Sequence, residues 1–215
     1  MNESDYGYVF GVLFFKGSLI QSKKHGNYFI SLKTRDRELA HNFLSKLVGI
    51  FKKNVKFHSR ENFYEVLFYG KDKITNLLNS IKSRDVNRDE ILKHALSDKN
   101  FRITFLQGLF DSKGSIRVRL RLRKDGKKQR CITIRIKSKD FARLKEIEKL
   151  LKLEGVQVNV YQLKDYSILE IDGKHRCMTF MKKINFTLTS KKGILKKALT
   201  IDGFNEIISS KQRIG

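Results

Sequence analysis

The chain has 215 residues, with 46 Lys plus Arg against 22 Asp plus Glu and a formal charge of +24. That length allows one domain or two small ones around a real core; the charge points to a polyanion partner, and it is too dispersed for one amphipathic membrane-surface helix. No apolar stretch reaches the ~18 residues of a transmembrane span and no secretory apolar region opens the chain, while Cys131 and Cys177 form no CxxC pattern or disulfide framework, so an intracellular, reducing compartment (cytoplasm or organelle matrix) is expected.

The first predicted element is a helix over 5–15, ending in Val9-Phe10-Gly11-Val12-Leu13-Phe14-Phe15-Lys16-Gly17. It is apolar around most of its circumference, which predicts burial. Strands at 18–24 and 27–34 then form a hairpin turning at His25-Gly26, and Tyr28, Ile30 and Leu32 alternate with Phe29, Ser31 and Lys33. The first set is expected to face a core and the second to face outward. A helix follows from Arg35 to Val48, with Leu39, Phe43, Leu44 and Leu47 at helical spacing and Thr34 as its N-cap. Strands near 54–59 and 62–69 and helices over 72–82 and 88–97 complete this half.

The same order then recurs. A second apolar helix over 101–112 contains Leu106-Gln107-Gly108-Leu109-Phe110-Asp111-Ser112-Lys113-Gly114. Strands near 115–123 and 130–137 follow, then a helix opened by Ser138-Lys139-Asp140 and running to about Leu153. Strands near 156–163 and 166–172 precede helices over 174–184 and 190–200. Ser138-Lys139-Asp140 matches Thr34-Arg35-Asp36 at an offset of 104, and Ile91-Leu92-Lys93-His94-Ala95-Leu96 recurs as Ile194-Leu195-Lys196-Lys197-Ala198-Leu199 at an offset of 103. These repeats predict an α+β protein of two αββαββα halves, residues 1–97 and 98–215.

Gly11 and Gly108 lie inside the two apolar helices, where glycine costs about 1 kcal/mol relative to alanine. Such a glycine suggests close approach of another backbone, so the two helices are expected to pack through these small residues. Each run ends in Lys-Gly-Ser, where glycine permits the left-handed turn that stops a helix.

Residues 116–123 alternate: Ile116, Val118, Leu120 and Leu122 point one way, and Arg117, Arg119, Arg121 and Arg123 point the other. On the return strand Ile132, Ile134 and Ile136 face inward, and Thr133, Arg135 and Lys137 face outward. Between 117 and 139 there are eleven Lys or Arg and one acid, Asp125. Unopposed arginines on one face repel each other, and a surface selected for stability would intersperse acids. The stripe therefore predicts nucleic-acid contact. A two-stranded ribbon fits the major groove of B-DNA, where arginine can bond guanine O6 and N7 together. The loop Lys124-Asp125-Gly126-Lys127-Lys128 is expected to grip the backbone. The equivalent face of the first half offers Ile20, Ser22, Lys24, Asn27, Phe29, Ser31 and Lys33, which suits thymine-methyl, hydroxyl and phosphate contacts.

The second run, with Leu106, Gly108, Leu109, Asp111 and Gly114, resembles the LAGLIDADG motif of homing endonucleases; the first keeps Gly11 and Gly17. The resemblance implies two pseudo-twofold-related halves in one monomer, motif helices at their interface, and saddle-shaped antiparallel sheets in the major groove of double-stranded DNA. It also implies that the last acidic residue of each motif holds a catalytic divalent metal. Here those positions are Lys16 and Lys113. Lysine has three donors and no acceptor, so it cannot ligate a metal. Asp111 lies two residues earlier, about 200° around the helix, and is expected to help end the helix instead. Peripheral basic counterparts of the family's active site are Lys82 or Arg84 and Lys191 or Lys192. His25, His41, His58, His94 and His175 show no ligand spacing.

The expected function is binding of a long, asymmetric duplex without a cofactor and with little or no cleavage. The alternatives are an active endonuclease using Mg2+, an intron RNA maturase with intron RNA as partner, and a transcription regulator on the same fold.

Overall fold

A computed structural model describes residues 3–21, 28–52, 55–80 and 88–212 of the chain. Helix α1 (Glu3–Phe15) is apolar on all sides, and its Tyr8, Val9, Phe10, Val12 and Phe14 are buried. Strands β1 (Ser18–Gln21) and β2 (Tyr28–Thr34) follow, then α2 (Arg37–Phe51), β3 (Val55–Arg60) and β4 (Phe63–Tyr69). Helices α3 (Lys71–Ser80), α4 (Arg88–Ser97) and α5 (Lys99–Lys113) close the first compact unit, residues 1–113. Its sheet is antiparallel with strand order β1-β2-β4-β3. Tyr28, Ile30 and Leu32 are buried on one face, as the alternation required, and Phe29, Ser31 and Lys33 lie on the other. The core side is covered by α2, whose Phe51 ring stacks on Phe68 at 3.9 Å.

The second unit, residues 114–215, repeats the plan. It contains β5 (Ser115–Leu122), β6 (Lys128–Ser138), α6 (Phe141–Leu153), β7 (Asn159–Gln162), β8 (Ser167–Asp172), α7 (Lys174–Lys183) and α8 (Thr189–Leu199). The sheet order β5-β6-β8-β7 is the order of the first sheet. An additional helix, α9 (Ile201–Gln212), had no counterpart in the predicted elements. Its Phe204 is buried and lies 5.7 Å beneath the Arg130 guanidinium. The repeated sequence begins near residue 98, whereas packing divides the chain after Lys113, because α5 lies along α1.

The repeats at offsets 104 and 103 correspond to equivalent structure. Asp36 Oδ1 accepts from Leu39 N at 3.0 Å, and Asp140 Oδ1 accepts from Arg143 N at 2.9 Å. The hydroxyls of Thr34 and Ser138 each accept the amide of that aspartate at 3.1 Å. Asp36, not Thr34, is therefore the N-cap of α2; Thr34 orients it from two residues earlier. In the six-residue repeat, Leu92 and Ala95 of α4 and their equivalents Leu195 and Ala198 of α8 are all buried.

Two local expectations change. Strand β7 begins at Asn159 rather than 156, since the Val156 amide bonds back to Leu151 O and closes the preceding helix. Gly17 takes the left-handed turn at φ +87°, but Gly114 is not among the described residues with positive φ, and α5 runs straight into β5. The His25-Gly26 turn lies outside the described residues. Among the described residues no helix is long and apolar enough to cross a membrane.

Candidate nucleic-acid interface

Helices α1 and α5 approach so closely that glycine is required on both. A Cβ on Gly11 would overlap Phe105 O and lie 2.8 Å from Leu109 N; one on Gly108 would overlap Tyr8 O and lie 3.1 Å from Tyr8 Cα. Gly7, a third such position, would press against Phe101 O at 2.6 Å. The obstacles at Gly11 and Gly108 are backbone, which cannot rotate away as a side chain can; at Gly7 the Thr104 side-chain hydroxyl is in the way as well.

This packing brings the ends of both helices, Lys16 and Lys113, into one electrostatic environment. Lys16 is half-buried, and Nζ donates to Thr34 Oγ1 at the long distance of 3.5 Å. Burial is the main cause that lowers its pKa below 10.5; the Asp36 carboxylate raises it, and the Lys113 ammonium lowers it further. Lys113 is exposed. Two ammonium groups that feel each other's charge thus stand at the positions that the motif resemblance assigns to metal-binding acids. Their donor-only chemistry does not fit a divalent cation. Among the described residues no three His, Cys, Asp or Glu side chains come together as a metal-binding group.

Asp111 has a different place from the one expected. The helix continues past it to Lys113, and its carboxylate is 1% exposed, accepting from Tyr8 Oη at 3.1 Å. It joins α5 to α1 instead of ending α5. Of the peripheral basic residues, Lys191 is half-buried at the start of α8, and its Nζ donates to Gly114 O at 2.7 Å. Lys192 occupies the next position and is exposed. Lys82 and Arg84 lie outside the described residues.

In the second unit, β5 pairs with β6 so that Arg117, Arg119 and Arg121 stand opposite Thr133, Cys131 and Gln129. Arg117, Arg119, Arg121 and Arg123 are all exposed. Only Arg123 has an acidic partner among the described residues, Asp125 at 3.8 Å. That aspartate also accepts from Lys127 N at 3.2 Å, and Gly126 at φ +76° completes the turn. The one acid of the ribbon is thus occupied with shaping the loop that presents Lys127 and Lys128, both exposed.

The ribbon departs from its predicted faces in three places. Leu120 and Leu122 point to the core side yet are 40% and 68% exposed, because this end of the hairpin extends past the layer beneath it. Thr133 is on the arginine face but is 3% exposed and donates to Asp172 Oδ1 at 2.7 Å. Arg135 stands across from Glu170, so β8 places two acids next to the basic stripe that the hairpin sequence alone did not show. Lys137 is exposed, its ammonium 4.5 Å from the Tyr166 ring centre.

On the first sheet's outer face, Phe29 pairs with Tyr69 and Ser31 with Leu67; Lys33 Nζ sits 3.7 Å from the Phe63 ring centre. Ser22, Lys24 and Asn27 lie outside the described residues. Phe63 and Tyr69 were not selected from the sequence, although alternation along 63–69 already separates them from Tyr64, Val66 and Phe68.

Residues 6–91 match the family model described as the WhiA LAGLIDADG-like domain. No curated protein matches the chain in sequence. Among solved structures, the chain is similar to variants of the homing endonuclease I-DmoI at 16% identity and TM-score 0.61, covering 85% of this chain and 90% of that one. A mutant of I-SmaMI is 13% identical with TM-score 0.65, over 98% and 99% of the two chains. The I-LtrWI LAGLIDADG homing endonuclease bound to target DNA is 12% identical with TM-score 0.64, over 99% and 98%. The α+β fold of this chain, with one four-stranded antiparallel sheet of the same strand order in each unit and paired glycine-bearing helices in the first, is the LAGLIDADG homing-endonuclease fold.

Proposed function

We propose that this protein is a LAGLIDADG homing-endonuclease-like protein that binds a long, asymmetric double-stranded DNA site and cleaves it poorly or not at all. The observation that carries the reading is the row Arg117, Arg119, Arg121 and Arg123, exposed on one face of a hairpin with a single acidic partner. Guanidinium groups on a twisted ribbon can enter the major groove, bonding guanine edges and phosphates. Phe29, Ser31 and Lys33 add apolar, hydroxyl and cationic contacts from the first sheet, and Arg135, Lys137, Lys127 and Lys128 extend the basic surface of the second. Thr133 supports the ribbon through Asp172. Lys16 and Lys113 supply positive charge at the positions of the motif acids, so binding requires no Mg2+. Lys191, held on Gly114 O, adds a further cation in the second unit.

The test starts with selection of a bound duplex from a random library, followed by titration at several salt concentrations with and without magnesium. Expected are tight binding in chelator and no magnesium-dependent cleavage. Replacing the four arginines with glutamine should weaken binding and lower the log–log salt slope by about 0.9 per lost phosphate contact. An unchanged slope and site preference in that variant would overturn the reading. Magnesium-dependent cutting by the unaltered chain would establish the active-endonuclease alternative.

A further inference from the structure

The lysine amines of this chain are not alike. Lys46 Nζ donates to Asp5 Oδ1 at 2.8 Å and Lys191 Nζ to Gly114 O at 2.7 Å, and short donations of that kind hold an amine in its charged form. Lys16, directly after α1, is half-buried without such an anchor. Among the described residues its Nζ makes only the long 3.5 Å donation to Thr34 Oγ1. Thr34 is itself 4% exposed, and the same oxygen already accepts Asp36 N at 3.1 Å. Burial, the largest influence, and the Lys113 ammonium at the end of α5 disfavour the charged form of Lys16, against the pull of Asp36 at the start of α2. An ordinary lysine keeps fewer than about one amine in a thousand unprotonated at neutral pH. Desolvation beside a second cation is what turns a lysine into a nucleophile.

We propose that Lys16 is a nucleophile toward an aldehyde in bound DNA, the ring-opened deoxyribose of an abasic site, and that the protein nicks such a site by β-elimination without a metal. This activity rests on the duplex-binding reading, which brings the sugar to the amine. The free amine of Lys16 adds to C1′ of the open sugar; the carbinolamine takes up a proton and loses water, leaving a protonated imine. That cation acidifies the C2′ hydrogen, which passes to solvent as a proton. The C3′–O3′ bond then breaks, and the downstream strand departs with a 5′-phosphate. Hydrolysis of the imine returns the amine to Lys16, so the cycle consumes no oxidant or reductant. Lys113, exposed and cationic, disfavours the Lys16 ammonium and favours the departing phosphate. A nucleotide without its base has lost its pairing and stacking, so turning its sugar toward a protein side chain costs little.

The experiment uses the selected duplex carrying a single abasic site, made by excising one uracil, at successive positions along one strand. The full chain is incubated with it in chelator, with and without cyanoborohydride. Reduction turns the imine into a stable secondary amine, so the protein–DNA cross-link survives a denaturing gel and peptide mapping locates it. Anisotropy on the same duplexes measures binding separately, and variants are compared at saturating protein. Expected are cross-links at a narrow set of positions, on the peptide that carries Lys16, and nicking at those positions when the reductant is left out. Lys16→Arg keeps the charge but stays protonated, and it should lower the cross-linking rate at least about tenfold, since each unit of lowered pKa is tenfold in free amine. A tetrahydrofuran analogue of the abasic site has no aldehyde and should bind without cross-linking or nicking. Cross-links spread over many lysines, an undiminished rate with Lys16→Arg, or a bound abasic duplex that is neither cross-linked nor nicked would overturn the proposal while leaving the duplex reading intact. Failure to bind any duplex would overturn both.

Discussion

Tyr8 and Asp111 meet across the two motif helices: the Tyr8 hydroxyl donates to Asp111 Oδ2 at 3.1 Å while accepting from Asn42 Nδ2 at 2.9 Å. The contact ties α1, α5 and α2 together at a buried point. It exists because glycine at 11 and 108 lets the two backbones approach to a distance at which a side-chain oxygen on one helix can reach the other. A buried carboxylate with its partner in place is stable; the same carboxylate with the partner removed is costly.

The glycines should therefore differ sharply in their response to alanine. Gly108→Ala places a Cβ against Tyr8 O, and the clash should outweigh the propensity gain, for a net loss of about 1–3 kcal/mol or more. Gly193, inside α8, has nothing within 4 Å of its Cβ position. Gly193→Ala should stabilise by up to ~1 kcal/mol. Urea-denaturation midpoints of the two variants should move in opposite directions.

Lys16 should leave an alkaline signature. Its pKa is lowered in the folded protein from 10.5, first by burial, against the pull of Asp36 and with the push of Lys113. Between the lowered value and 10.5 the unfolded chain binds more protons at this site than the folded one, so this site's contribution to stability rises with pH across that window. Below the window the ammonium is charged in both states and its burial opposes folding. Lys16→Met should stabilise the protein at neutral pH, and the gain should shrink as pH rises toward 10.5. Denaturation curves of both proteins over the alkaline range would show a constant difference if Lys16 were not coupled to folding.

The two cysteines should report on the ribbon. Cys177 is buried, its thiol pushed up to about 12 mainly by burial, with Sγ 3.4 Å from Ile171 O. Cys131 is only half-buried and stands opposite Arg119. At neutral pH a maleimide should label Cys131 in the native protein and Cys177 only after unfolding. Saturating duplex should protect Cys131, and protection should fall as salt is raised. Labelling of Cys131 at one rate with and without bound duplex would place the DNA on another surface.

Placing acids at the motif positions tests the proposed role of Lys16 and Lys113 in suppressing cleavage. With Lys16→Asp and Lys113→Asp together, the helix ends would carry a carboxylate pair able to hold Mg2+. Metal-free affinity for the selected duplex should drop through repulsion of phosphate, and magnesium should restore binding and permit cutting. Either single change leaves one ammonium in the site and should yield at most weak nicking. A double variant that folds and binds with magnesium but never cuts would mean that more than these two side chains separates the protein from catalysis. Cleavage assays on the selected site distinguish the outcomes.

Much of this protein was legible in its residues alone, and the reasons are local. Period-two alternation told which way Phe29, Ser31 and Lys33, or Arg117, Arg119 and Arg121, leave their strands, because direction is a property of the pleat. Interior glycines announced helix contact because no local preference explains them, and the repeats at offsets 103 and 104 marked equivalent caps and buried positions. Pattern does not say what lies over a side chain. Leu122 and Val118 leave β5 on the same side, yet one is exposed and the other buried, since the layer beneath ends between them. Thr133 faces outward by alternation, yet β8 brings Asp172 beside it; Asp111 looked like a helix terminator until α1 brought Tyr8. The aromatic row of Ile20, Phe29 and Tyr69 came from three strands whose order only folding sets. Those features depend on residues tens of positions apart meeting in space, and it is packing between elements, not the period of any one of them, that decided them.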